Sequence, residues 1–88
     1  MTYLIEFYKD ALKYLQKLDK PMRIRITKHI QILSSDPFHQ ELDIKKLKGT
    51  MDEYRLRVGS YRVVYSVEND KLLIHIIKIA SRGDVYKK

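Results

Sequence analysis

The stretch from Tyr54 to Val67 constrains the fold of this chain more than any other segment. Tyr54, Leu56 and Val58 alternate with Arg55 and Arg57, and Gly59-Ser60 then interrupts the run. Tyr61, Val63, Tyr65 and Val67 resume it, with Arg62, Val64 and Ser66 in the intervening positions. A period of two sends successive side chains to opposite faces of a sheet. A short Gly-Ser break between two such runs is a turn. Two adjacent antiparallel strands are therefore expected. Their aromatic and apolar face is buried, and the opposite face presents Arg55, Arg57 and Arg62.

The rest of the chain supplies the cover for the apolar face. Thr2 to Tyr8 is rich in aromatic and β-branched residues and predicts a first strand. The period then lengthens. Ala11, Leu12, Leu15 and Leu18 recur at helical spacing, and Asp10 suits the positive end of the helix dipole. Pro21 fits the opening of a second helix, whose stripe is Met22, Ile26, Ile30 and Leu33. Ser34-Ser35-Asp36-Pro37 ends that helix, because a residue before proline is pushed out of the helical region. Residues 36–44 form a polar connection. Glu68 to Lys71 is a hairpin turn, and Leu72 to Ala80 is an almost wholly apolar strand of the kind buried on both faces. The order β-α-α-β-β-β defines an α+β fold: an antiparallel sheet with a helical hairpin packed on one face, joined by the first strand. With no repeats, linkers or low-complexity segments, residues 1–88 are expected to form a single domain.

Composition narrows the chemistry. The absence of cysteine excludes a disulfide scaffold, a thiolate metal site and a thiol nucleophile. His29, His39 and His75 lack metal-ligand spacing, so neither a metal nor another cofactor is expected. No leader sequence or membrane-spanning run is recognisable, which makes the cytoplasm the default location and a membrane partner unexpected. The net charge of +7 is unevenly placed. Residues 1–44 hold seven Lys/Arg against six Asp/Glu, and residues 45–88 hold eleven against five. Such an excess in one half suits a polyanion ligand, although a lysine-rich solvated surface produces the same total.

Three guanidiniums on neighbouring strands repel one another unless an anion lies between them. Phosphate is the natural ligand, because each guanidinium offers a planar fork of donors and stays charged at any working pH. The alternative is a solvated outer face. After the last strand, Ser81-Arg82-Gly83-Asp84-Val85-Tyr86 brings a further arginine, a glycine that can bend the chain, and a phenol. A tyrosine beside arginines can stack on a base, or exchange a proton through a phenolate favoured by positive charge. It can equally pack over the sheet edge. His75, in an apolar strand, is expected to be a packed core residue, and Tyr3, Tyr8 and Tyr14 to be core or rim.

Lys46-Leu47-Lys48-Gly49, the run from Tyr54 to Tyr65, and Ile79 to Tyr86 together resemble the RelE/ParE toxin superfamily over nearly the whole chain. The resemblance implies a RelE-like fold. For the RelE branch it implies the toxin of a type II toxin–antitoxin system: a ribosome-dependent, metal-independent endoribonuclease (an mRNA interferase) that cuts messenger RNA in the A site and inhibits translation. In that chemistry a substrate 2′-hydroxyl attacks the adjacent phosphate. Arg55 and Arg57 match the family's basic positions on the first meander strand, and Arg62 matches the arginine after its Gly-x-Tyr turn. Arg82 matches the arginine after its last strand, and Tyr86 its near-terminal tyrosine. By that match Arg62 and Arg82 hold the scissile phosphate and stabilise transition-state charge. Tyr86 orients or deprotonates the 2′-hydroxyl, while Lys46 and Lys48 hold flanking RNA by charge.

The chain departs from the family pattern at two places. Some members carry lysines at the positions of Arg55 and Arg57, and many carry a histidine at that of Ser81. The implied partners are the ribosome, messenger RNA and a cognate antitoxin with an acidic, partly disordered segment that folds on binding. The superfamily also holds ParE-like inhibitors of DNA gyrase that catalyse nothing on the same fold. The sheet-face arginines with Tyr86 favour the nuclease over that alternative, and a third possibility is a degenerate member that only binds its antitoxin and has lost toxicity.

Overall fold

The change of period after Tyr8 sets the architecture. The computed structural model describes residues 2–81, and it turns from strand β1 (Leu4–Phe7) directly into helix α1 (Lys9–Lys17). Ala11 and Leu15 of α1 are buried, whereas Leu12, off to one side of the stripe, is exposed. Asp10 in the first turn and Lys17 in the last both complement the helix dipole. Helix α2 (Lys20–Ser35) carries Pro21 in its first turn, where a missing N–H costs nothing. Its stripe is the one the spacing predicts: Ile26, Ile30 and Leu33 are buried, and Met22 packs beside them. Asp36 is extended and ends the helix before Pro37.

The sheet contains β2 (Asp43–Lys46), β3 (Glu53–Val58), β4 (Tyr61–Glu68) and β5 (Leu73–Ser81) in addition to β1, in the order β1-β5-β4-β3-β2. Strands β2 to β5 form the antiparallel meander, and β1 joins β5 in parallel. The α+β layout stands, but the sheet is mixed and has one strand more than the pattern showed. Strand β2 escaped notice because it is Asp43-Ile44-Lys45-Lys46, with Ile44 alone packed on the core. A short polar edge strand leaves almost no hydrophobic alternation to read. The parallel sense of β1 follows from the long helical connection behind it, since no tight turn fixes its direction.

Two local irregularities matter for the site. On β5, Lys78 pairs with Val64 and Ile76 with Tyr65, so Ile77 is an extra residue that forms a bulge. The bulge resets parity. Ile74 and Ile76 are buried before it and Ile79 after it, which leaves Lys78 on the other face. At the β4–β5 turn, Asn69–Lys71 form a single 3₁₀ turn and Leu72 adopts a left-handed conformation, with φ of 50°. The last strand therefore begins at Leu73, one residue later than expected.

Tyr65, Ile26, Leu33, Leu56, Ile74, Ile76, Val58 and Val63 are the largest fully buried side chains between the helices and the sheet. Each such side chain contributes about 1.5–3 kcal/mol by leaving water. Tyr65 does more than fill space. Its hydroxyl donates a 2.7 Å hydrogen bond to the Pro37 carbonyl, and its ring stacks on Tyr54, which meets Phe38 edge-on. These contacts tie the polar connection after α2 to the sheet and deliver β2 to the edge of β3.

Candidate functional site

The strand registers arrange the face opposite the helices into three cross-strand rows. The first runs Asp43, Arg57, Arg62, Ala80, and the second runs Lys45, Arg55, Val64, Lys78. The third runs Glu53, Ser66, His75, Glu6. The first two rows thus bring together Lys45, Arg55, Arg57, Arg62 and Lys78 with one carboxylate, Asp43. The third row is acidic. One end of the open face attracts a polyanion and the other repels it.

Arg55, Arg57 and Arg62 share this face, as their alternation with Tyr54, Leu56, Val58, Tyr61 and Val63 predicts, yet their environments differ. Arg57 and Arg62 are direct partners across the β3–β4 hairpin, an arrangement in which like charges destabilise the sheet. Arg57 has a half-exposed side chain, whereas that of Arg55 is only 9% exposed. Asp43 bridges the two: its carboxylate lies 3.3 Å from Arg55 Nη1 and 3.8 Å from Arg57 Nε. Burial of a guanidinium requires such a partner.

Three shallow hollows open on this surface, and Arg62 lines all of them. The largest, about 320 Å³, lies between Lys45–Lys48 and the three arginines. A second, about 160 Å³, has Val64, Ala80 and Lys78 in its wall. The third, about 200 Å³, sits at the β3–β4 turn between Arg57, Gly59, Ser60 and Arg62. This is the shape of a track for an extended chain rather than of an enclosed pocket for a small molecule.

Lys46 and Lys48 both border the largest hollow. Lys46 is paired with Tyr54, however, so it reaches the hollow from the opposite parity. Lys45, its neighbour, holds the position beside Arg55. Lys45, Lys78 and Asp43 also belong to this face, without a signal in the sequence pattern that marks them. Lys45 and Asp43 belong to the strand that was not recognised, and Lys78 reaches the face through the bulge. Arg82 and Tyr86 lie outside the described residues. The last described residue, Ser81, is fixed by its N–H, which donates to the Tyr14 hydroxyl at 3.0 Å. Its neighbour Ala80 is paired with Arg62.

His75 is not the core residue that its apolar strand suggested. It stands on the open face in the acidic row, with Nε2 2.7 Å from Glu68 and Nδ1 3.8 Å from Glu6. Tyr8 covers the ring edge-on. The hydrogen bond from His75 holds the Glu68 carboxyl below its usual range; partial burial opposes it, and Lys71 assists. Among the described residues, no group of three or more His, Cys, Asp or Glu side chains is arranged to hold a metal ion. None of the described helices is long and apolar enough to cross a membrane.

The family model for the ParE toxin of type II toxin–antitoxin systems matches residues 5–86, and the chain belongs to that family. Its relatives are named as RelE toxins. An archaeal RelE–RelB complex from Pyrococcus horikoshii OT3 has a chain 40% identical, with a TM-score of 0.82 over 94% of this chain and 98% of that one. In a RelB–RelE antitoxin–toxin complex from Methanococcus jannaschii, the identity is 31% and the TM-score 0.77, covering 93% of this chain and 95% of the other. The mRNA interferase toxin RelE of Escherichia coli K12 is 29% identical over 92 residues, spanning 100% of this chain and 94% of the relative. The fold is the RelE fold.

Proposed function

We propose that this chain is the toxin of a toxin–antitoxin pair that cuts messenger RNA on the ribosome. The observation that supports the proposal is the double row of cations on one face of a rigid sheet, in which Lys45, Arg57 and Lys78 are exposed and Arg55 is buried among them. The name of the Escherichia coli relative, an mRNA interferase, supports it. In the reaction the substrate 2′-oxygen bonds to the adjacent phosphorus as its proton departs, the bond to the 5′-oxygen breaks, and that oxygen takes up a proton. Charge grows on the non-bridging oxygens in the transition state. In this reading Arg62, which borders all three hollows, stabilises it together with Arg57 and Arg82. Arg55 is a buried cation beneath them, fixed through Asp43. Tyr86 orients or deprotonates the 2′-hydroxyl. Lys46 and Lys48, with Lys45, hold the flanking backbone.

The shallow site explains a need for the ribosome, which would hold the messenger in the geometry that this surface does not enclose. An antitoxin partner is supported by the two complexes above, each of which pairs a RelE chain with RelB. An acidic segment that covers the basic rows would neutralise them. The test is in vitro translation of a defined messenger with purified protein, with new 5′ ends mapped by primer extension. Wild type, Arg62→Ala, Arg82→Ala and Tyr86→Phe are compared. Cuts at ribosome-occupied codons that disappear in the arginine variants support the nuclease. An intact messenger in every lane removes it. A gyrase supercoiling assay then takes over, because the family model is that of ParE toxins.

A further inference from the structure

The basic surface does not stop at the end of the sheet. Helix α2 packs on the apolar face, yet the exposed side chain of Arg25 reaches from it to the β3–β4 turn. A Cβ built on Gly59 would lie 3.2 Å from Arg25 Nη1, 3.7 Å from Cζ and 3.8 Å from Nη2, so the whole guanidinium rests against this residue. Gly59 is in the left-handed region, with φ of 60°, and that conformation also favours glycine. On its other side, the same Gly59-Ser60 turn lines the 200 Å³ hollow together with Arg57 and Arg62. One two-residue turn therefore separates three guanidiniums that come from both faces of the sheet.

Among the described residues, no carboxylate is paired with the outermost of them, Arg25. The single carboxylate of the basic rows, Asp43, is engaged with Arg55 and Arg57. A further cation beside the Arg57–Arg62 cross-strand pair is favoured where an anion spans the group.

We infer that the turn and Arg25 form a second phosphate subsite, which grips the RNA backbone where it leaves the sheet face; this rests on the RNA-cutting function proposed above. The ligand is a phosphodiester of single-stranded RNA flanking the cleaved one. Contact is by charge and guanidinium hydrogen bonds, so it is indifferent to base identity. Arg25 touches no reacting atom. It sets where the strand runs.

The experiment is fluorescence anisotropy of a labelled single-stranded RNA oligonucleotide whose 2′-hydroxyls are methylated, titrated with protein at several NaCl concentrations. The proteins are wild type, Arg25→Gln, Arg25→Lys and Lys17→Gln; the last removes the same charge from the solvent side of α1. Neutralising one phosphate contact on a single strand changes the slope of log K against log salt by about 0.7. Arg25→Gln is expected to flatten the slope by that amount and to weaken binding several-fold for every sequence tried. Arg25→Lys should keep the slope, and Lys17→Gln should change it by less than half as much. Equal slopes for Arg25→Gln and wild type, or for Arg25→Gln and Lys17→Gln, overturn the subsite and leave the RNA function standing. An equal loss in Arg25→Lys also overturns it, by showing that packing on the turn is what matters. A wild-type protein with no salt-dependent RNA binding removes both.

Discussion

Replacing Asp43 with asparagine should make the protein less stable and bind RNA more tightly. Asp43 is the one carboxylate in the two basic rows, 3.3 Å from Arg55 Nη1 and 3.8 Å from Arg57 Nε. Two unit charges 4 Å apart at a protein surface interact by about 4 kcal/mol at an effective dielectric of 20, which is an upper bound here. The Asp43 side chain is 55% exposed, so screening brings the pair toward the roughly 1 kcal/mol upper end for surface bridges. The Arg55 side chain is only 9% exposed and loses its counter-ion, which keeps the cost from falling lower. About 1 kcal/mol in a domain of this size lowers Tm by roughly 4–8 °C. Salt should narrow the gap, because screening relieves repulsion among the uncovered cations.

Binding moves the other way, since the carboxylate occupies anion-binding capacity that a phosphate would use. The assay is thermal unfolding of wild type and Asp43→Asn at low and high NaCl, alongside anisotropy with the methylated RNA. A variant as stable as wild type at low salt would refute the claim that the basic rows strain the sheet. A folded variant that binds RNA more weakly would refute the competition and make Asp43 a residue that orients the arginines.

Other predictions concern the scaffold and its pH response. Tyr65→Phe removes the hydroxyl that satisfies the Pro37 carbonyl and should cost about 1–3 kcal/mol by urea denaturation. Burial, with smaller contributions from Tyr54 and Asp36, pushes the Tyr65 phenol well above its ordinary value of 10.0. The unfolded chain therefore loses this proton first. The stability it carries is complete below about pH 10 and is lost as pH rises beyond, so the alkaline decline should be shallower in Tyr65→Phe. Glu68 is depressed below its ordinary 4.5, chiefly by the His75 hydrogen bond. Its contribution is present above that value and lost as pH falls through the lower folded one. The urea midpoint of His75→Ala should consequently fall less steeply than that of wild type as pH drops below the ordinary Glu68 value of 4.5.

Much of the fold was legible because the period is strong where burial is one-sided. The helical stripe Met22, Ile26, Ile30, Leu33 and the alternation through Tyr54–Val58 and Tyr61–Val67 each specify a face. The arginine positions follow from that alternation alone. What stayed hidden had no periodic signature. Strand β2 pairs through its backbone and packs only Ile44 on the core, so Asp43 looked like part of the polar connection and Lys45 carried no strand signal. The bulge at Ile77 sits in a run of apolar residues in which either parity looks the same, which concealed Lys78 and put His75 in the wrong place. The burial of Arg55 and the reach of Arg25 to Gly59 depend on which long side chains meet after packing, and strand or helix periods carry no information about that. The Tyr65–Pro37 bond joins residues 28 positions apart.

The most direct measurement is the single-turnover rate of messenger cleavage on programmed ribosomes for wild type and Arg62→Ala, with thermal unfolding of both as the folding control. Loss of one preorganised donor to the developing phosphate charge should slow the cut by about 100–1,000-fold while the variant stays folded. A folded Arg62→Ala that cuts within about twofold of wild type would contradict the phosphate clamp, because a change that small is under 0.5 kcal/mol of the barrier.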